Sequence, residues 1–224
     1  MNFSDCIHDS FLLMTIPEMV AVATGIASVW FARKESILVY PVGIISVLLY
    51  VYICLHVGLY ADAAVNFYYF VVSIYGWYFW KHGGKIQQRE NLNKEIDSVL
   101  MKEEKPVREE AEISANSFGL NFTILIVTVL IGLGLGYLLN QFTNSTVPYW
   151  DGITTSLFIT AMWLMAKKKI ENWIYWVIGD AACVPLFLYK GLCLSSLQYL
   201  IFTILAIAGY LSWYAKLQKK STAA

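Results

Sequence analysis

Seven long apolar runs divide this chain, and each contains no basic residue and at most one acidic residue. They span residues 11–32, 36–55, 63–80, 118–142, 150–166, 172–189 and 194–215. A helix that crosses the hydrocarbon core of a membrane needs about 20 mainly apolar residues, which is the scale of these runs. Only 14% of the residues are charged, against about a quarter in soluble domains. The sequence therefore predicts an all-α membrane protein with seven transmembrane helices in a lipid bilayer.

The placement of the charges predicts the orientation. Of the 32 charged residues, 15 lie between Lys81 and Glu112, in the mixed-sign pattern of a solvated linker. Lys and Arg accumulate in every second loop and in the C-terminal tail, whereas the other loops hold only Lys190. Because basic loops face the cytoplasm, we expect an outside N-terminus, a cytoplasmic C-terminus and a cytoplasmic linker at 81–117. We expect the membrane to be a bacterial inner membrane, and the net charge of zero gives no sign of nucleic-acid binding.

An internal repeat connects the first three runs with the last three at one constant offset in the numbering, which we call the repeat offset. It pairs identical residues at seven landmarks, namely Trp30 with Trp163, Lys34 with Lys167, Ile37 with Ile170, Gly58 with Gly191, Leu59 with Leu192, Gly76 with Gly209 and Trp80 with Trp213. Two three-helix halves, 11–80 and 150–215, then flank a linker helix at 118–142, which restores the same orientation to both. Such parallel repeats are one plan of membrane transporters, which hold their substrate between the halves near the midplane.

Polar residues that the repeat offset leaves unmatched are the first candidates for a binding site, because an asymmetric ligand breaks the symmetry of the halves. Asp180 is opposite Val47, Trp176 is opposite Gly43, Asn172 is opposite Val39 and Asn66 is opposite Tyr199. Helical spacing adds neighbours to them. The predicted substrate-binding set is Asn172, Trp173, Trp176 and Asp180 on the sixth helix, Asp62, Asn66 and Tyr69 on the third, and Gln198 and Tyr199 on the seventh.

Five of these candidates also have a structural interpretation. An ionisable side chain inside a membrane is costly and faces a cavity or a partner, which favours a function for Asp180 over a structural hydrogen bond. Asp62 lies near the outer boundary, where it would equally well cap the third helix. Asn66 and Gln198 would also serve as interhelical hydrogen-bond donors, and Trp173 as part of an interfacial aromatic belt.

Motifs on the same helices resemble the PnuC family of vitamin transporters. They are the segment 171–176 (ENWIYW), followed by Asp180 and by 188–192 (LYKGL), together with 66–69 (NFYY) as an N-x-x-Y feature. The resemblance covers most of the chain from Val20 to Leu217. It implies a full-length, SWEET-like fold with a three-plus-one-plus-three layout, and often a homotrimer.

The resemblance also implies an activity, which is facilitated diffusion of an unphosphorylated vitamin, most often nicotinamide riboside, with capture by intracellular phosphorylation. Asn172, Trp173 and Trp176 would bind the ring, and Asn66 and Tyr69 would contact the ligand from the other half. Thiamine and riboflavin, which relatives transport, stay as alternatives, and so does proton coupling through Asp180 or Asp62. No cofactor is expected.

The residues themselves favour a cationic aromatic substrate without a phosphate. No Lys or Arg lies inside a predicted span, so a phosphate would have no buried counter-charge. A pyridinium ring would be attracted to tryptophan faces by a cation–π interaction of about 0.5–2 kcal/mol, and its positive charge would be attracted to a nearby carboxylate.

A membrane enzyme is disfavoured because the three histidines are dispersed and no HExxH motif occurs. Likewise, no GxxxxGK[ST] motif supports ATP-driven pumping. A receptor without transport would have little need of the unmatched polar residues. The four cysteines show no CxxC spacing and are expected to be free thiols.

Overall fold

The computed structural model describes residues 7–8, 11–84, 87 and 110–222, and these residues form seven long α-helices. The helices are α1 (Ile16–Arg33), α2 (Val39–His56), α3 (Tyr60–His82), α4 (Phe118–Phe142), α5 (Pro148–Ala166), α6 (Asn172–Tyr189) and α7 (Cys193–Thr222). The prediction of seven helices in an all-α protein is confirmed. Most of the charged linker, residues 85–86 and 88–109, lies outside the described residues.

Three of the helices are long and apolar enough to cross a membrane by length and composition alone. They are α2, α4 and the part of α7 that spans Cys193–Lys219. Helices α5 and α6 instead contain the most buried side chains. A helix in the middle of a bundle is shielded by its neighbours and tolerates more polar residues than one that faces lipid.

Helix α1 begins later than the apolar run, and a capping box fixes its start. The Thr15 side chain accepts a hydrogen bond from the Glu18 backbone N–H, and the Glu18 carboxylate accepts one from the Thr15 backbone N–H at 2.7 Å. Such reciprocal pairs satisfy amide groups that the first helical turn leaves free. Glu18 therefore belongs to a helix end and does not interrupt the middle of a span.

The helices pack as two groups of three, with α4 attached to one of them. Helix α2 lies against α1 and α3, and α6 lies in the same way against α5 and α7, while α4 packs on α5. Two helix pairs join the groups, because α1 packs against α7 and α3 packs against α5. Under the repeat offset, α1 corresponds to α5 and α3 to α7, so these two contacts are equivalent.

Glycines bring α4 and α5 close together. Gly132 and Gly136 of α4 are buried against α5, where a side chain on either would meet Ile153 or Tyr149 within 3 Å. This is the close approach expected of GxxxG spacing. The hydroxyls of Thr128 and Thr160 form a hydrogen bond of 2.8 Å across the same interface, so the glycines of α4 serve helix packing.

The repeat offset recurs in the backbone at two turns. Glu35 and Lys168, which are offset mates, have left-handed φ angles of 59° and 56°. Gly58 and Gly191 form a second pair, with φ angles of 78° and 73°. Glycine adopts this conformation without steric cost, whereas other residues do so rarely. Two such pairs at one offset show that the chain turns in the same way at equivalent points of the two groups.

One end of the bundle, which we call the basic end, collects basic residues at helix ends, in the turn between α5 and α6 and near the end of α7, namely Arg33, Lys34, Lys81, Lys167, Lys168, Lys169 and Lys216. A short segment, residues 110–117, lies across this end and is called the strap. The Ala111 backbone N–H donates to the Trp80 carbonyl at 3.0 Å, and the Ser114 backbone N–H donates to the Lys168 carbonyl at 3.2 Å. Ala111 and Ile113 are buried in the core there. The strap thus contacts both groups of helices.

Candidate functional site

Helix α6 carries four of the predicted site residues, and it begins directly after the left-handed turn at Lys168. Asn172 is fully buried in the first turn, where its Nδ2 donates a 2.6 Å hydrogen bond to the Lys169 carbonyl, while its Oδ1 has no hydrogen-bond partner among the described residues. One polar atom of Asn172 therefore stabilises the turn, and the other remains available.

The two tryptophans of α6 lie in different surroundings. Trp173 is buried at the basic end, edge-on to Trp213 at a centroid distance of 5.5 Å, and its ring lies against Gly209. Trp176 is half-buried, and its ring is stacked on Phe158 of α5 at 5.4 Å. The structure therefore separates the predicted tryptophan pair into one residue of the packed core and one that borders the middle of the bundle.

Four rings from three helices form a continuous array, which we call the aromatic stack. Trp176 lies on Phe158, Phe158 lies nearly parallel to Tyr199 of α7 at 5.9 Å, and Tyr199 lies on Phe187 at 4.9 Å. Offset stacking of this kind is favourable beyond the burial of apolar area. A flat aromatic ligand would find the same type of surface here.

Asp180 lies one helical turn beyond Trp176, on the same side of α6. It is only 2% exposed, and none of the ion pairs among the described residues involves it. Tyr69 of α3 and Tyr199 of α7 pack, like Trp176, against the buried side chains of Phe158, Cys183 and Leu186, and Cys183 lies three residues beyond Asp180 on α6. Three helices thus bring Asp180, Trp176, Tyr69 and Tyr199 together, which are four of the predicted residues.

The remaining candidates lie at the edges of this cluster. Asn66 is half-buried one turn before Tyr69, and its Nδ2 donates to the Asp62 carbonyl within α3 at 2.9 Å. Asp62 is exposed at the end opposite the basic end, where the ion pair of Lys190 with Asp151 also lies. Gln198 is half-buried and interacts with the Tyr50 side chain of α2. Asp62 is therefore the predicted residue nearest the surface.

Phe158 is absent from the predicted site, although it occupies the centre of the aromatic stack. The signal was present in the sequence, because the offset mate of Phe158 is Gly25. An aromatic residue opposite glycine is as unmatched as Asp180 opposite Val47. The prediction considered polar mismatches first and so missed an apolar one.

Cysteines and possible metal ligands complete the description of the site. Cys54 and Cys183 are buried free thiols, as expected, but the expectation is wrong for Cys193, which is disulfide-bonded. Cys6 lies outside the described residues. Within the described part of the chain, no three His, Cys, Asp or Glu side chains come close enough to hold a metal ion.

The comparison with known families decides the identity. A family model described as nicotinamide mononucleotide transporter matches residues 15–215. The chain belongs to this transporter family. Together with the PnuC relatives below, this match confirms the resemblance to the PnuC family, which is a family of membrane transporters for vitamins such as nicotinamide riboside.

Individual relatives agree with the family. The nicotinamide riboside transporter PnuC of Escherichia coli K12 is 29% identical over 217 residues, which cover 92% of this chain and 88% of the relative. The Neisseria mucosa PnuC is 25% identical, over 90% of this chain and 72% of its own length. The riboflavin/roseoflavin transporter RibM of Streptomyces davaonensis is 23% identical, over 91% of this chain and 87% of its own.

A solved structure supports the fold of this family member. The crystal structure of the vitamin B3 transporter PnuC superimposes with a TM-score of 0.67 at 22% sequence identity, covering 97% of this chain and 90% of that one. At this identity the likeness concerns the arrangement of the helices.

Proposed function

We propose that this protein takes up nicotinamide riboside across a bacterial inner membrane by facilitated diffusion. The single observation that carries the proposal is the buried carboxylate of Asp180, which has no ion-pair partner among the described residues and lies beside the aromatic stack. A buried charge is strongly unfavourable unless it is paired. A ligand with a positively charged flat ring supplies that partner, and it stacks on Trp176 at the same time.

The substrate of this site is a nucleoside rather than a nucleotide, even though the family description names the mononucleotide. A phosphate group needs Arg or Lys donors. No Lys or Arg lies on α5 or α6, and Lys190, which directly follows α6, is already paired with Asp151 at 2.6 Å. Tyr69, Asn66 and Gln198 offer hydroxyl and amide groups, which suit the ribose.

The architecture that we propose is a parallel, SWEET-like three-plus-one-plus-three repeat, with residues 11–80 and 150–215 as the halves, 81–117 as the cytoplasmic linker and 118–142 as the inverting helix. The equivalent contacts α1 with α7 and α3 with α5 support it, together with the left-handed pairs at the repeat offset. The two halves would rock about the site between them. A homotrimer is the assembly that the PnuC resemblance implies.

The orientation that we propose places the basic end in the cytoplasm and the N-terminus outside. The excess of Lys and Arg at that end supports it. The disulfide of Cys193, at the opposite end, supports it independently, because disulfides persist in the oxidising periplasm and not in the cytosol.

Uptake into proteoliposomes tests the mechanism. Purified protein should equilibrate radiolabelled nicotinamide riboside across the membrane without exceeding the outside concentration, and an enclosed kinase with ATP should make the label accumulate by phosphorylation. Accumulation above equilibrium that is driven by a proton gradient, without the kinase, would show proton-coupled uptake instead.

Riboflavin is the second candidate substrate, because the riboflavin/roseoflavin transporter RibM is similar over 91% of this chain. Thiamine is the third, since it is also a cationic aromatic. Equilibrium binding of the three vitamins to the purified protein separates them. We expect nicotinamide riboside to bind most tightly, and binding of thiamine or riboflavin alone would replace it as the substrate.

A further inference from the structure

Phe158 occupies the middle of the aromatic stack, between its neighbours Trp176 and Tyr199. It is 8% exposed, and it also packs with Cys183 and Leu186. Its ring lies so close to Gly179 that a side chain there would meet the Phe158 Cε1 atom at 2.5 Å. Helix α6 therefore makes room for this ring at one glycine.

The equivalent place in the other half of the chain contains no ring. The offset mates of Phe158 and Trp176 are Gly25 and Gly43. A side chain on Gly43 would meet the Ser28 hydroxyl at 2.8 Å, and one on Gly25 would meet the Ser46 hydroxyl at 3.1 Å. At these two positions a ring is thus present in one half only, and serine hydroxyls lie at the equivalent positions of the other half. The half that carries Phe158 is the one that would recognise a flat ring.

We propose that Phe158 is a specificity-determining residue, which sets the size of the aromatic ring that the site accepts. The inference rests on the proposed function, because it assumes that the ring of the substrate stacks beside Trp176 and Asp180. A phenyl group packed against both Trp176 and Tyr199 fills space that a second or third fused ring of a ligand would need. A single pyridinium ring fits beside Phe158, and a larger fused ring system does not.

Three cations of equal charge and increasing ring number test this proposal, namely N-methylpyridinium, N-methylquinolinium and N-methylacridinium. Their equilibrium binding is measured on the wild-type protein, on Phe158→Ala and on the control variant Phe122→Ala. The Phe122 side chain lies on α4 and is 59% exposed. The wild-type protein and Phe122→Ala should prefer the one-ring cation. Phe158→Ala should prefer the three-ring cation, with an affinity about tenfold above that of the wild type, because the added rings become buried.

An unchanged order of preference in a folded Phe158→Ala protein would overturn the proposal. Phe158→Leu and Phe158→Val widen the site in smaller steps, so acridinium affinity should rise from Phe to Leu to Val, and absence of this order overturns the proposal even if Phe158→Ala does not fold. Nicotinamide riboside is measured in parallel on the wild-type protein. Its failure to bind would count against the proposed function, whereas the ring series reports on Phe158 alone.

Discussion

Trp80 and Trp213, which are offset mates, lie with their ring centroids 5.9 Å apart at the basic end of the bundle. Each indole N–H donates to a backbone carbonyl of the opposite group of helices, Trp80 to Met165 at 3.0 Å and Trp213 to Ala32 at 3.1 Å. Met165 and Ala32 are themselves related by the repeat offset. Two equivalent hydrogen bonds therefore hold the basic end closed, and each group of helices donates one of them to the other group.

The first prediction concerns these two bonds. Trp80→Phe and Trp213→Phe should each lower the free energy of unfolding by about 0.5–1.5 kcal/mol, because each removes one buried hydrogen bond, while the Met165 and Ala32 carbonyls keep their backbone donors. The two effects should be similar, as the bonds are equivalent. Thermal unfolding in detergent measures both. Trp150→Phe, at a side chain that is 46% exposed, is the matched control and should change the free energy by less than about 0.5 kcal/mol.

The second prediction concerns the strap. Ile113 is 7% exposed in the core of the basic end, so Ile113→Asp should release the strap and open that end, while Ile113→Val should not. A cysteine introduced at Met165, which is 8% exposed, reports the change in a protein that lacks Cys54 and Cys183. A membrane-impermeant thiol reagent on the cytoplasmic side should label Met165→Cys faster in combination with Ile113→Asp. Equal labelling rates would mean that the strap does not control access.

The third prediction concerns pH. Burial lowers the pKa of Lys168, which lies in the turn between α5 and α6, although the neighbouring Glu35 carboxylate opposes this shift. Between the lowered value and about 10.4, the usual pKa of lysine, the unfolded chain binds more protons than the folded one. Stability therefore rises with pH across this alkaline window, and below the window the cost of the buried charge is fully present.

Substitutions at Lys168 isolate this contribution. Lys168→Met removes the charge, and Lys168→Arg keeps a charge that does not titrate in this range. Melting temperatures measured from neutral to alkaline pH should therefore rise less steeply in both variants than in the wild type. If all three proteins gave the same slope, titration of Lys168 would not contribute to stability.

The sequence was sufficient to predict the seven helices and the family. Apolar runs of span length and motifs such as Trp173 with Trp176 are local signals, which can be read without knowledge of tertiary contacts. The sequence was also sufficient to place Asp180 and Trp176 on the same side of one helix, a single turn apart. It did not place Trp173, whose burial against Trp213 depends on contact between helices α6 and α7. Nor did it reveal the buried strap, because Ala111 and Ile113 stand in a highly charged stretch and gain their surroundings only from tertiary packing.

The most direct test of the proposed site is the binding of two forms of one ligand, nicotinamide riboside with its cationic ring and the reduced riboside with its neutral ring. The wild-type protein should bind the cation at least about tenfold more tightly, which corresponds to about 1.4 kcal/mol, and Asp180→Asn should lose this preference while keeping its melting temperature. Equal affinity of the wild-type protein for both forms, or an unchanged preference in Asp180→Asn, would contradict the assignment of Asp180 as the partner of a cationic ring.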